Sequence, residues 1–264
     1  MIYYSDNRLQ GDKLKMNYKI PFNKPPITEA LLDIRVEMSD GVEQSTLLSF
    51  YDNVKDKFPI KNEKYSWQGE VKFQGKGAPE IFAPKGNCEG YLCKAQDGKK
   101  IVQARFDGFT FNKLRPYQNW DIFSEEAKGL WNIYKEAINP KSVKRLALRY
   151  VNKIDIPLPM GDFKEYVLTV PEIASGMPQG LSTYFMRLEI PNADIQANSV
   201  ITQTFKPLKL EATVLPLIFD IDVYRVGKWE PNSEEVWDVM NQLREFKNQI
   251  FLNSTTDKAK ELFE

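Results

Sequence analysis

Histidine is absent from all 264 residues, and its absence removes whole classes of chemistry. Imidazole is the one side chain whose ordinary charge change falls near neutral pH, and it is the commonest metal ligand. Without it there is no Ser-His-Asp or Cys-His nucleophile activation, no His-ligated zinc and no imidazole acid–base step. Cysteine is nearly absent as well. Cys88 and Cys93 alone make neither a disulfide framework nor a zinc set, and they read as idle thiols in a reducing compartment. Net charge is also lacking: 36 basic residues balance 36 acidic ones, so no global field draws the chain to nucleic acid or anionic membrane. No run approaches the ~20 apolar residues of a membrane span. The opening MIYYSDNRLQGDKLK has no apolar stretch of the signal-peptide kind, which points to the cytoplasm and away from membranes. No G-x-G-x-x-G, P-loop, H-E-x-x-H or C-x-x-C occurs, and Gly75-Lys76-Gly77 lacks the strand–helix context of a phosphate cradle. No cofactor, no bound metal and no catalytic residue is expected, and the balance leans away from an enzyme.

What is present is a well-patterned α+β chain. Residues 27–38 alternate, with Ala30, Leu32, Ile34, Val36 and Met38 on one side and Glu29, Asp33, Arg35 and Glu37 on the other, the period of a half-buried strand. A helical spacing follows at Leu47, Phe50, Tyr51, Val54 and Phe58. Strand-like runs at 65–73, 90–96 and 100–114 come next, around a Gly/Pro-rich connection at 74–90. A second amphipathic helix runs over 121–138 and stops at Asn139-Pro140. The order then recurs: a strand at 143–156, a short helix at 162–169, strands at 183–190, 194–205 and 208–225, and a helix at 233–252. For that last helix, Asn232 and Glu235 suggest a capping box.

The expected architecture is therefore a pseudo-duplicated β-α-β-β-β-α arrangement: antiparallel curved sheets with helices packed on one face, in the manner of helix-grip and TBP-like folds. Residues 1–23 read as a flexible leader, with Met16 an alternative start. Residues 24–140 form the first half and 141–264 the second, packed as one compact unit.

Opposite the apolar layer the strands project charge. Candidate binding residues are Arg35, Arg105, Arg145, Arg149, Lys153, Arg187, Asp220 and Asp222, on a concave polar platform where guanidinium groups would fork onto phosphate or carboxylate. Locally the charge is uneven: 141–153 carries five positive residues and no negative one, and 230–264 holds eight acids against four bases. Such blocks commonly complement each other internally. A nucleic-acid reading would use Arg145, Arg149 and Lys153 with the aromatics of 105–120, Phe106, Phe109, Phe111, Tyr117 and Trp120, as stacking groups. A third would use Asp220 and Asp222, two residues apart on one strand face, as a carboxylate-only metal site for phosphodiester cleavage, completed by Asp107 or Glu211.

Four segments, KPPITEALLDIRVE, RFDGFTFNKLRPYQNW, RYVNKIDI and EVWDVMNQLREFKNQIFLNSTTDKAKELF, together resemble a sporadically distributed prokaryotic family of conserved hypothetical proteins. The resemblance spans Lys24 to Phe263 and leaves the first 15 residues outside. It implies a cytoplasmic accessory protein, of the kind carried in defence or toxin–antitoxin cassettes, and transfers no catalytic residue. The resulting expectation is a non-enzymatic binding protein whose polar sheet face, or the groove between its halves, receives a protein partner or a small anionic ligand.

Overall fold

The structure, a computed structural model, describes residues 22–39, 41–65, 70–72, 80–82 and 88–264. Met16, Gly75-Lys76-Gly77 and nearly all of the proposed leader lie outside the described residues.

Nine strands form one antiparallel sheet. In chain order the elements are β1 (Ile27–Glu37), α1 (Gln44–Val54), β2 (Ile60–Tyr65), β3 (Glu70–Lys72), β4 (Glu80–Phe82), β5 (Cys88–Lys94), β6 (Lys100–Arg105), β7 (Gly108–Leu114) and α2 (Trp120–Ile138). There follow β8 (Ser142–Pro157), a 3₁₀ turn (Phe163–Glu165), β9 (Tyr184–Asn192), β10 (Ala197–Phe205), β11 (Val214–Trp229), α3 (Glu235–Ser254) and α4 (Asp257–Lys260). The spatial order is β2-β5-β6-β7-β1-β8-β11-β10-β9, and β3 and β4 pair separately. Read outward from the β1/β8 seam, β1-β7-β6-β5 mirrors β8-β11-β10-β9, with β2 added at one edge. Four strands on each side of this central seam thus follow the same order, but the first half adds β2, β3 and β4 and the second has a 3₁₀ turn in place of a first helix; the sheet is open and curved, and the fold is α+β.

The physical reasons are local. Along β1 the apolar residues Ala30, Leu32, Ile34 and Val36 are buried against the helices, each large side chain contributing roughly 1.5–3 kcal/mol of burial. Helix α2 starts where the Asn119 side chain accepts from the Ile122 amide at 2.9 Å and ends at Asn139, left-handed at φ 47°, just before Pro140. Its stripe of Phe123, Ala127, Leu130, Tyr134 and Ile138 is buried as the periodicity implies, with Trp131 added. Side chains tie α2 to α3 at two levels and to the turn before α3 at a third. Trp120 Nε1 donates to Asn241 Oδ1 at 2.9 Å, Lys128 lies 5.0 Å from the Trp237 ring, and Lys135 Nζ donates to Asn232 Oδ1 at 2.9 Å. The pairing order is reversed, so the two helices run antiparallel across the same face.

Three expectations are corrected and one is extended. Residues 100–114 are a hairpin, β6 and β7 turning at Phe106-Asp107. In the first of the three strand runs the described residues, Tyr65 and Glu70–Lys72, are strand as read, and β2 begins further upstream at Ile60. The helix at 162–169 shrinks to the 3₁₀ turn, capped by Asp162 and hemmed by Pro159, Gly161 and Pro171. The capping box at Asn232 does not form: Ser233 Oγ accepts from the Glu235 amide at 3.1 Å, while Asn232 is held by Lys135.

Candidate functional site

The open face carries all eight predicted residues, because cross-strand partners share a face. Arg35 stands opposite Arg145, Arg149 opposite Asp222, and Arg105 opposite Gly108, which is in turn opposite Arg35. Gly108 matters here. A Cβ would lie 2.3 Å from the Ile34 carbonyl oxygen and 3.2 Å from Arg35 Cδ, so its bare backbone lets two arginines converge.

They converge on Asp33. Arg105 Nη2 reaches one carboxylate oxygen at 2.9 Å and the Thr110 hydroxyl donates to the same oxygen at 2.7 Å. Arg35 Nε reaches the other at 3.0 Å, and Arg145 joins at 3.3 Å. Burial pushes the Asp33 carboxyl up, but the Arg105 and Arg35 guanidiniums and the Thr110 hydroxyl overcome this and hold it below the ordinary carboxylate range. Arg35 and Arg105 both also pair with Asp107. Arg149 forks onto Asp220, with Nη2 at 2.6 Å and Nε at 2.9 Å. Arg145 lies 4.5 Å from the Tyr224 ring and 3.8 Å from Asp222. Asp222 behaves oppositely to Asp33. Burial raises its carboxyl despite Arg145 and Arg149, and its Oδ1 has no hydrogen-bond partner among the described residues. Lys153 and Arg187 stand apart from this cluster, the first on Asp155 at 3.0 Å and the second on Glu189 at 3.9 Å on edge strand β9.

Two alternatives lose their geometry. Phe109 and Phe111 are fully buried beneath α2, where Phe111 stacks on Phe123, and Tyr117 packs on Tyr150. These aromatics therefore lie on the helix side of the sheet, opposite Arg145, Arg149 and Lys153, and form no joint stacking platform. Asp220 and Asp222 do share a face, but Arg149 and Arg145 neutralise them. Among the described residues no group of three metal-ligating side chains forms.

The helix side holds a second site, at the seam between the halves. A cavity of about 340 Å³ is lined by Tyr117, Trp120, Asp121, Tyr150, Arg244 and Lys247, with Phe22, Pro25 and Ile27 closing its edge. Lys247 is only 4% exposed, and its ammonium nitrogen sits 3.9 Å from the Tyr150 ring centroid. Among the described residues no carboxylate lies within ion-pair distance of it. Burial, with Arg244 as a second cation nearby, pulls its pKa down to about 7. The Tyr117 and Tyr150 hydroxyls are 3.0 Å apart; burial pushes Tyr117 up to about 12 and Tyr150 well above the ordinary phenol range. Asn119, Trp120 and Asp121 at the start of α2 also line the cavity, so the positive end of that helix dipole adds to the two cations.

Neither Arg244 nor Lys247 was among the predicted residues, though a signal existed. Val236, Met240, Leu243, Lys247 and Phe251 follow one helical stripe at spacings of three and four, and a lysine in that register has to be buried.

No protein-family model matches the chain, and a search of curated proteins finds no similar one. Among the described residues no helix is long and apolar enough to cross a membrane.

Proposed function

We propose that the chain is a binding protein for a small organic anion, seated in the cavity where its two halves meet. One observation carries this reading: Lys247 is buried at that cavity with no carboxylate in contact among the described residues, and Arg244 lines the same space. A buried cation normally has a partner, and a bound anion would supply one. Trp120 and Tyr117 provide apolar walls, the volume suits a small ligand, and a few convergent polar groups in an otherwise apolar pocket are the usual form of such a site. On the open face the arginines are already matched by Asp33, Asp107, Asp220 and Asp222, so an arriving anion would have to displace a carboxylate. Calorimetric titration with benzoate and with sulfate tests the proposal. Saturable binding is expected, weakened about tenfold or more by Arg244→Gln. No binding of either anion at millimolar concentration, or binding unchanged by Arg244→Gln, would overturn it.

A second reading keeps the open sheet face as a surface for a protein partner, because Phe185 and Val226 stand 70% and 65% exposed on it. Phe185 neighbours Arg187 on β9, and Val226 lies opposite Arg145. Exposed large apolar groups beside charge are a common mark of such surfaces. A second copy of the chain is the simplest partner to test. Sedimentation across a concentration series should show association that Phe185→Glu with Val226→Glu abolishes; a monomer throughout would remove a second copy as the occupant.

A further inference from the structure

The cavity holds an amine under unusual conditions. Lys247 projects from α3 onto the face of Tyr150, inside a wall that is otherwise aromatic on two sides. The charged and titratable groups facing it are Arg244 from its own helix, Asp121 from the start of α2, Tyr117 from the segment before α2 and Tyr150 from β8. The described residues closing the N-terminal side, Phe22, Pro25 and Ile27, carry no side-chain charge. Arg244 precedes Lys247 by three residues, so the two side chains leave α3 on the same side. A surface ammonium would be held charged by water; here burial and the adjacent guanidinium both favour the neutral amine.

Resting on the anion-binding reading above, we propose that Lys247 is an amine nucleophile that forms a reversible imine with an aldehyde or ketone whose anionic group is held by Arg244. The neutral amine attacks the carbonyl carbon, forming a C–N bond while the C=O π pair moves to oxygen. Two protons pass from nitrogen to that oxygen, giving the carbinolamine and then water as leaving group. The product is a C=N bond at Lys247 Nζ, and no oxidant or reductant enters the balance. The hydrogen-bonded Tyr117 and Tyr150 hydroxyls stay protonated at neutral pH and line the same cavity, where they can pass a proton. With its pKa near 7, Lys247 holds about a thousandfold more free amine at neutral pH than an ordinary lysine.

The test uses the full chain at neutral pH with 4-formylbenzoate as the anionic carbonyl probe, benzaldehyde as its uncharged counterpart, and cyanoborohydride to trap the imine. Peptide mass spectrometry then locates each reduced adduct. Lys247 is expected to be labelled about tenfold or more ahead of the surface lysines, and faster by 4-formylbenzoate than by benzaldehyde, with benzoate competing. Because the site is mapped in the unaltered protein, the result does not depend on a variant folding; Arg244→Gln should slow the anionic probe and leave benzaldehyde unchanged. Benzoate binding with adducts spread over surface lysines would overturn the amine role and leave the anion site standing. Labelling of Lys247 at equal rates by both aldehydes, with no benzoate binding, would overturn the proposed anionic substrate class and the anion site together.

Discussion

On the open face Arg35, Arg105, Arg145 and Arg149 meet Asp33, Asp107, Asp220 and Asp222, while behind the sheet Arg244 and Lys247 share a cavity where, among the described residues, Asp121 is the one lining carboxylate. Both regions put guanidinium groups on regular elements, yet the balance of charge differs. Apart from one Asp222 oxygen that has no hydrogen-bond partner among the described residues, the strand network closes on itself, so its charge serves register and cross-strand cohesion. At the cavity the positive charge exceeds what the described residues supply in return, and that surplus is what a ligand would answer. The number of arginines on a face is therefore a poor guide to binding; the number left without a carboxylate is the better one.

The largest expected effect breaks the matched side. Asp33→Ala would leave Arg105, itself 4% exposed, with the exposed Asp107 carboxylate and the Thr110 hydroxyl as its remaining partners, and should cost about 3–5 kcal/mol in chemical denaturation. Arg149→Ala, where the arginine is half-exposed and Asp220 is 13% exposed, should cost less, about 1 kcal/mol; equal losses would show that the network is not graded by burial.

Next comes the unmatched side, where the sign reverses. Lys247 has its folded pKa lowered to about 7 against about 10.4 unfolded. Between those values the unfolded chain binds more protons, so stability rises with pH across that window and the penalty is full below it. Lys247→Met should therefore stabilise the protein by up to about 4 kcal/mol at pH values below about 7. The gain should shrink toward zero by about pH 10, read as melting temperature against pH. A destabilised variant at every pH would contradict the assignment of Lys247 as an uncompensated cation. Asp33 provides the contrast. Its lowered pKa contributes stability that is present above the ordinary carboxylate range and lost as the pH falls through the folded value.

Much of this organisation was legible in residue order. The alternation over Ile27–Glu37, the stripe of α2 and the recurrence of element order led directly to an antiparallel sheet with helices on one face. The hairpin within 100–114 was missed although Asp107-Gly108 is a turn signal. The buried positions change parity there, from Val102 and Ala104 to Phe109 and Phe111, because two residues are spent in the turn. The open-face arginines could be named because period two puts them on one face; their pairing could not, since it depends on which strands become neighbours. Asp33 neutralises guanidiniums from β1, β6 and β8, and only the β6-β7-β1-β8 order brings those strands together. The cavity needed α2, α3 and the β1/β8 seam assembled. Even so, Lys247 on an apolar stripe was an anomaly visible beforehand.

The smallest expected effect concerns nucleic acid. Arg145→Glu with Arg149→Glu should change affinity for single-stranded DNA by less than about twofold, because both side chains already face carboxylates and release few counterions. A steep salt dependence abolished by this pair would instead show the strand arginines to be free for phosphate.

The most direct test of the account is calorimetry of benzoate binding at neutral pH in two buffers of different ionisation heat. An anion entering beside Lys247 should raise its pKa and draw in roughly half a proton, a heat difference that Lys247→Met removes. Equal heats in both buffers, or binding untouched by Lys247→Met, would contradict the claim that this cavity holds a cation awaiting its partner.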